Sequence, residues 1–115
     1  MRVTRVLNGA GEAVVERCFV ADRPWSRMRG LLGRKSLASG EGLLLRPAGS
    51  VHTFFMRFPI DVVFLDRELE VVGVAPELRA WRAAGRRGAK AALELPAGEA
   101  ARRGIEAGVR LEFVS

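Results

Sequence analysis

A single histidine, a single cysteine and an aspartate set inside an apolar run are the residues of this chain whose types could do chemistry. The histidine and the aspartate share one segment. Ser50–Asp66 reads SVHTFFMRFPIDVVFLD, the most apolar stretch of the sequence, yet it holds His52 and places Asp61 between Ile60 and Val62. A carboxylate among such neighbours is costly unless it is hydrogen-bonded or paired. Histidine is the side chain that changes charge near neutrality. Two readings follow. His52 and Asp61 serve a ligand or an acid–base step, or His52 is a satisfied core residue and Asp61 receives backbone N–H groups of a turn. Spacing limits the first. A tight hairpin around Phe58-Pro59 would place Asp61 opposite Met56, leaving His52 four residues further along, about 13 Å by strand rise. A direct dyad therefore requires a different arrangement. One His, one Cys and three Met at scattered positions make no zinc spacing, and nothing supports a Ser-His-Asp triad. Met56 reads as core rather than as a metal ligand. Cys18, within Val14–Val20, reads as a small buried hydrophobe, because Glu16 and Arg17 are poor bases for a nucleophile.

The elements that must position these groups are mostly strands. Arg2–Leu7 and Glu12–Val20 flank Asn8-Gly9-Ala10-Gly11, a hairpin-type turn. Pro24–Leu32, capped by Asp22 and stopped by Gly33, places Trp25, Met28, Leu31 and Leu32 at helical spacing. Gly42–Arg46, Ser50–Met56, Asp61–Leu65, Leu69–Ala75, Ala89–Leu95 and Val109–Val114 read as further strands, with Pro76 closing the fourth of these. Leu78–Gly88 reads as a surface loop and Ala97–Arg103 as a single helical turn. The fold class expected is mainly β: a compact small barrel or two-sheet sandwich of about eight short strands with one or two short helices. The 115 residues suit a single domain, 1–115, with no repeat or linker.

The net charge is +6, and 17 of the 19 basic residues are arginine. Five basic residues and no acid fall in Arg23–Lys35, and five more in Leu78–Leu93, where Arg79, Arg82, Arg86, Arg87 and Lys90 stand near Trp81. Such surfaces favour acidic partners, although arginine beside abundant Ala and Gly also follows from coding composition. No apolar run approaches the ~20 residues of a membrane span. No apolar segment follows Arg2 and Arg5, and one cysteine cannot form an intrachain disulfide, so the expectation is a soluble protein of the cytoplasm.

His52–Asp66, together with Arg29–Arg34, Glu41–Leu45, Leu93–Gly98 and Gly104–Gly108, resembles the "domain of unknown function 192" family over nearly the whole chain. The resemblance implies a compact β-barrel or sandwich and no established activity or cofactor. Its recurrent polar positions fall here on Arg29, His52, Thr53, Met56, Asp61 and Glu94, which become the candidate ligand-binding residues. Arg29 could offer a bidentate fork to a carboxylate or phosphate, with Asp61 and Glu94 orienting it or holding a ligand hydroxyl. The competing reading is a buried Arg29–Asp61 or Arg29–Glu94 network that holds the fold closed.

Three functions stay open at this point. The first is a module that binds a small polar or anionic ligand around His52 and Asp61, with apolar walls from Phe54, Met56 and Phe58. The second is nucleic-acid binding through the arginine-rich surfaces, with Trp25 or Trp81 stacking on bases. The third is a protein-interaction module, with Trp81 and its arginines against an acidic partner. Whether the chain is an enzyme is open: His52 is a candidate acid or base, but no nucleophile, metal set or cofactor loop accompanies it.

Overall fold

The protein is described from a computed structural model that covers residues 2–21, 37–53 and 58–115, with backbone alone for His52. Strand β1 (Arg2–Leu7) turns into β2 (Ala13–Ala21), and the two pair antiparallel. Asn8 shapes the turn, its Oδ1 accepting the N–H groups of Ala10 (2.9 Å) and Glu12 (3.0 Å). Strand β3 (Glu41–Leu45) runs parallel to β2. Parallel neighbours need a long crossover, here residues 22–40. The helix expected over Pro24–Leu32, with Arg29, lies outside the described residues, as do Phe54 and Met56.

Next come β4 (Ser50–His52), β5 (Ile60–Leu65), β6 (Val71–Leu78), β7 (Ala83–Gly85), β8 (Ala91–Pro96), a short helix α1 (Glu99–Arg102) and β9 (Glu112–Val114). Seven strands form one sheet in the order β6-β5-β8-β3-β2-β1-β9, while β4 and β7 pair as a separate two-stranded sheet. The fold is thus mainly β and sandwich-like. It is not a closed barrel. Among the described residues the two edge strands are not paired; their flanks meet near Leu69–Val71, through a bridge between Glu70 and Arg110 and backbone bonds from Leu111 N–H to Leu69 C=O (3.0 Å), Val71 N–H to Val109 C=O (2.8 Å) and Gly108 N–H to Val71 C=O (2.9 Å).

Two local expectations change, and the hairpin weighed around Phe58-Pro59 does not apply. The strand at His52 does not form a hairpin with β5; it pairs with β7, and β5 lies between β6 and β8. The Leu78–Gly88 segment is therefore not all loop. Pro76 does not end β6 either. Ile60 pairs with Leu78 and Val62 with Ala75, so Asp61 alone faces the two residues Pro76 and Glu77. This is a β-bulge, and a bulge tolerates a proline that cannot donate to the ladder.

Strand β5 is buried along its whole length because both of its faces are covered. Val63 and Leu65 join Leu93, Leu95, Val15 and Cys18 in one core, closed over by Ala100 of α1. Ile60, Val62 and Phe64 join Leu43, Leu45 and Ala92 in a second core on the other face, where Val51 of β4 also packs. Strand periodicity of two assigns alternate residues to these two faces.

Candidate functional site

Asp61 and Glu94 sit on adjoining rungs of the β5–β8 ladder, with Asp61 opposite Leu95 and Val62 opposite Glu94. Adjoining rungs point to opposite faces. Asp61 accordingly faces the core that α1 covers, and Glu94 faces the other, level with Val62 and Leu43. The two carboxyls proposed for one site are on different sides of the sheet.

Asp61 is 1% exposed, and both of its oxygens are used. Oδ1 accepts the N–H groups of Glu77 (2.8 Å) and Gly98 (3.0 Å), and Oδ2 accepts that of Ala100 (2.9 Å). Glu77 is left-handed at φ 49° and Gly98 at φ 87°. The bulge turns the Glu77 N–H out of the ladder, and the carboxylate receives it. At Gly98 the absence of a Cβ makes the left-handed entry into α1 accessible. Asp61 thus ties β6 and the start of α1 to β5. Beside it lies a cavity of about 340 Å³ between the Val74–Glu77 bend and residues 100–107, with Glu77 and Glu106 in its wall.

Glu94 is 4% exposed and stands among apolar side chains. Among the described residues no hydrogen bond or ion pair reaches its carboxyl. Burial alone raises its pKa from 4.5 to about 7. A carboxyl with that pKa can donate or accept a hydrogen bond near neutrality.

Thr53, fully buried, follows β4 directly and serves the chain rather than an open pocket. Its N–H donates to Arg82 C=O (2.8 Å) and its C=O accepts from Trp81 N–H (3.1 Å). Its hydroxyl donates to Arg79 C=O and accepts from Arg82 N–H (2.9 Å). His52 lies in β4 opposite Ala83. Arg29 and Met56 lie outside the described residues.

Cys18 is buried, and desolvation pushes its thiol up to about 12, which keeps it protonated and unreactive near neutrality. Sequence reading passed over a polar cluster at α1. Buried Glu99 accepts a hydrogen bond from the Ser39 hydroxyl and pairs with Arg103 (3.1 Å) and Arg102 (3.5 Å); Arg103 also reaches Glu16 (3.0 Å). Burial pushes the Glu99 pKa up, but the Ser39 hydroxyl and the two arginines together hold it below its usual value. The i+3 and i+4 spacing of Arg102 and Arg103 from Glu99 was the available signal. Among the described residues, no group of three or more His, Cys, Asp or Glu gathers as a metal site, and no helix is long and apolar enough to cross a membrane.

The arginine-rich segment is only partly a free surface. Arg86 lies over the Phe64 ring, 5.4 Å from guanidinium carbon to centroid, and donates to Val74 C=O (3.0 Å). Gly73 makes room for it, since a Cβ there would stand 2.6 Å from Arg86 Nε.

The family model for DUF192, described as an uncharacterized ACR, matches residues 5–113. The chain belongs to this family. Two solved structures share the fold. A protein of unknown function from Novosphingobium aromaticivorans is 25% identical with a TM-score of 0.83, covering 96% of this chain and 83% of that one. A protein from Sinorhizobium meliloti, provisionally described as a transcription regulator, is 23% identical with a TM-score of 0.83, covering 96% and 92%. Among curated proteins, none matches the chain. The DUF192 match agrees with the resemblance carried by His52–Asp66, and the family brings no activity with it.

Proposed function

We propose that this DUF192 domain binds a small polar ligand on the sheet face that carries Glu94. The observation behind this reading is Glu94 itself: a buried carboxyl that no described residue satisfies. Buried polar groups in folded proteins are nearly always paired, so this carboxyl calls for a partner from outside the described residues, and we assign it a bound ligand. Glu94 would take a hydroxyl or amine of the ligand. His52 and Arg29 are the companions we assign to it, Arg29 for any anionic group and His52 for a further hydrogen bond, with Met56 as apolar wall. Asp61 and Thr53 have a different role in this reading. Their hydrogen-bonding capacity is taken up by backbone, so they position loops rather than touch the ligand.

The test is a thermal-shift screen of the protein against sugars, amino acids, nucleotides, phosphorylated metabolites and metal ions, with Glu94→Leu and His52→Ala alongside. One ligand class should raise the melting temperature of the wild type. At a concentration 100 times its Kd the stabilisation is about 2.7 kcal/mol. Glu94→Leu should abolish the shift while keeping the fold. A library that shifts nothing, or a hit indifferent to Glu94→Leu, would remove the basis for the reading.

A further inference from the structure

The cavity beside Asp61 lies on the sheet face opposite Glu94. Its volume, about 340 Å³, falls at the small end of the range that ligand pockets occupy. Its floor is buried and largely apolar, with Ala100 and Ile105, and Asp61 is already committed there to three backbone N–H groups. Its rim is exposed and carries Pro76, Ala101 and two carboxylates, Glu77 and Glu106.

Both carboxylates stand on backbone that the fold fixes. Glu77 follows Pro76 in the bulge, left-handed at φ 49°, and Asp61 holds its N–H. Glu106 belongs to a loop tied on either side of it, by Ile105 N–H to Ala100 C=O (2.8 Å) and by Gly108 N–H to Val71 C=O (2.9 Å). Its own C=O accepts from Val109 N–H (3.1 Å). The pocket is thus formed before a ligand arrives, and binding need order little of the chain.

Charge decides what such a pocket takes. The chain as a whole carries +6, yet the charged residues described in this wall are Asp61, Glu77 and Glu106, all acidic. Among the described residues no cation pairs with Glu77 or Glu106. Carboxylates accept hydrogen bonds and donate none, so the ligand brings N–H donors and a positive charge. The apolar floor favours a short hydrocarbon body behind that charge. A primary ammonium on an alkyl stem meets both demands, with three donors in a compact head.

We propose that this cavity is a binding site for a small primary alkylammonium, with its head at the Glu77 and Glu106 carboxylates and its stem against Ala100, Ala101 and Ile105. The site is independent of Glu94.

Amide NMR of the isotope-labelled protein, titrated with n-pentylamine at neutral pH, tests this, with n-pentanol, pentanoate and tetramethylammonium as comparison ligands. The wild type should show saturable shifts at the amides of Ala100, Ala101, Ile105 and Ala107. Glu77→Gln with Glu106→Gln should weaken binding roughly 2- to 30-fold, the effect of two exposed ion pairs, and added salt should weaken the wild type more than this double variant. Both side chains are exposed, so their replacement leaves the core intact. Ala101→Leu narrows the mouth, keeps both carboxylates and should abolish the shifts. Glu94→Leu should leave them unchanged, which separates this site from the Glu94 ligand. The assignment is overturned by the absence of saturable shifts or by undiminished binding in the double variant or in Ala101→Leu. It is equally overturned by loss of binding in Glu94→Leu, or by pentanol, pentanoate or tetramethylammonium binding as tightly as pentylamine.

Discussion

Asp61 and Glu94 are both buried carboxyls, one rung apart on the same ladder, on opposite faces of the same sheet. Asp61 holds three backbone N–H groups, while Glu94 holds none among the described residues. Burial is the same; the supply of donors among the described residues is not. On the Asp61 side, the bulge at Pro76-Glu77 and the left-handed Gly98 each free a backbone N–H that would otherwise lack an acceptor, and the carboxylate collects them. On the Glu94 side the described neighbours are Val62, Leu43 and Ala92, which offer side chains with no donor. A carboxylate inside an apolar strand is thus not by itself a mark of function. Whether the fold satisfies it decides which of the two readings applies.

The largest effect expected from breaking this contrast is at Asp61. Asp61→Ala should destabilise the protein by about 4 kcal/mol, because three N–H groups, one buried at Ala100 and two partly buried, lose their carboxylate acceptor at about 1–3 kcal/mol each. Urea unfolding measures it, and a loss under 1 kcal/mol would mean that these bonds do not anchor β6 and α1. A smaller effect is expected at Thr53, a polar residue satisfied in the way Asp61 is. Thr53→Val keeps the shape but strands the Arg82 N–H and the Arg79 C=O, for a loss of about 2 kcal/mol. Hydrogen exchange at Arg82 should quicken in that variant, and an unchanged rate would show that the hydroxyl does not fix the turn.

Much of the strand content was legible in the sequence. Asn8–Gly11 marked the first hairpin, and the unbroken apolar run Val62–Leu65 marked a strand covered on both faces. The sheet order was not, since β2 and β3 pair in parallel across a crossover that no local signal specifies. Strand β7 is Ala-Ala-Gly, with no β-branched residue, and its strand character comes from pairing with β4. Asp61 could be picked out from its neighbours alone. Glu94 entered through the family resemblance, although Ala91–Leu95 carries the same signal of a carboxylate inside an apolar strand. That the two face apart depends on the β5–β8 register, and register is a property of pairing that one strand's sequence does not contain.

The most direct test of the account is the stability of the wild type and of Glu94→Gln between pH 5 and pH 8. A carboxyl whose pKa is about 7 when folded and 4.5 when unfolded keeps its proton longer in the folded state. Stability is then highest below pH 4.5 as far as this group is concerned, falls as pH rises through the window, and levels off above pH 7, by about 3 kcal/mol in all. Glu99, with its lowered pKa, acts in the opposite sense and below this window. The account predicts that the wild type loses stability from pH 5 to pH 8 and that Glu94→Gln removes most of that slope. Parallel pH profiles for the two proteins would show that Glu94 is satisfied in the folded chain, and would contradict the contrast with Asp61 on which the ligand reading rests.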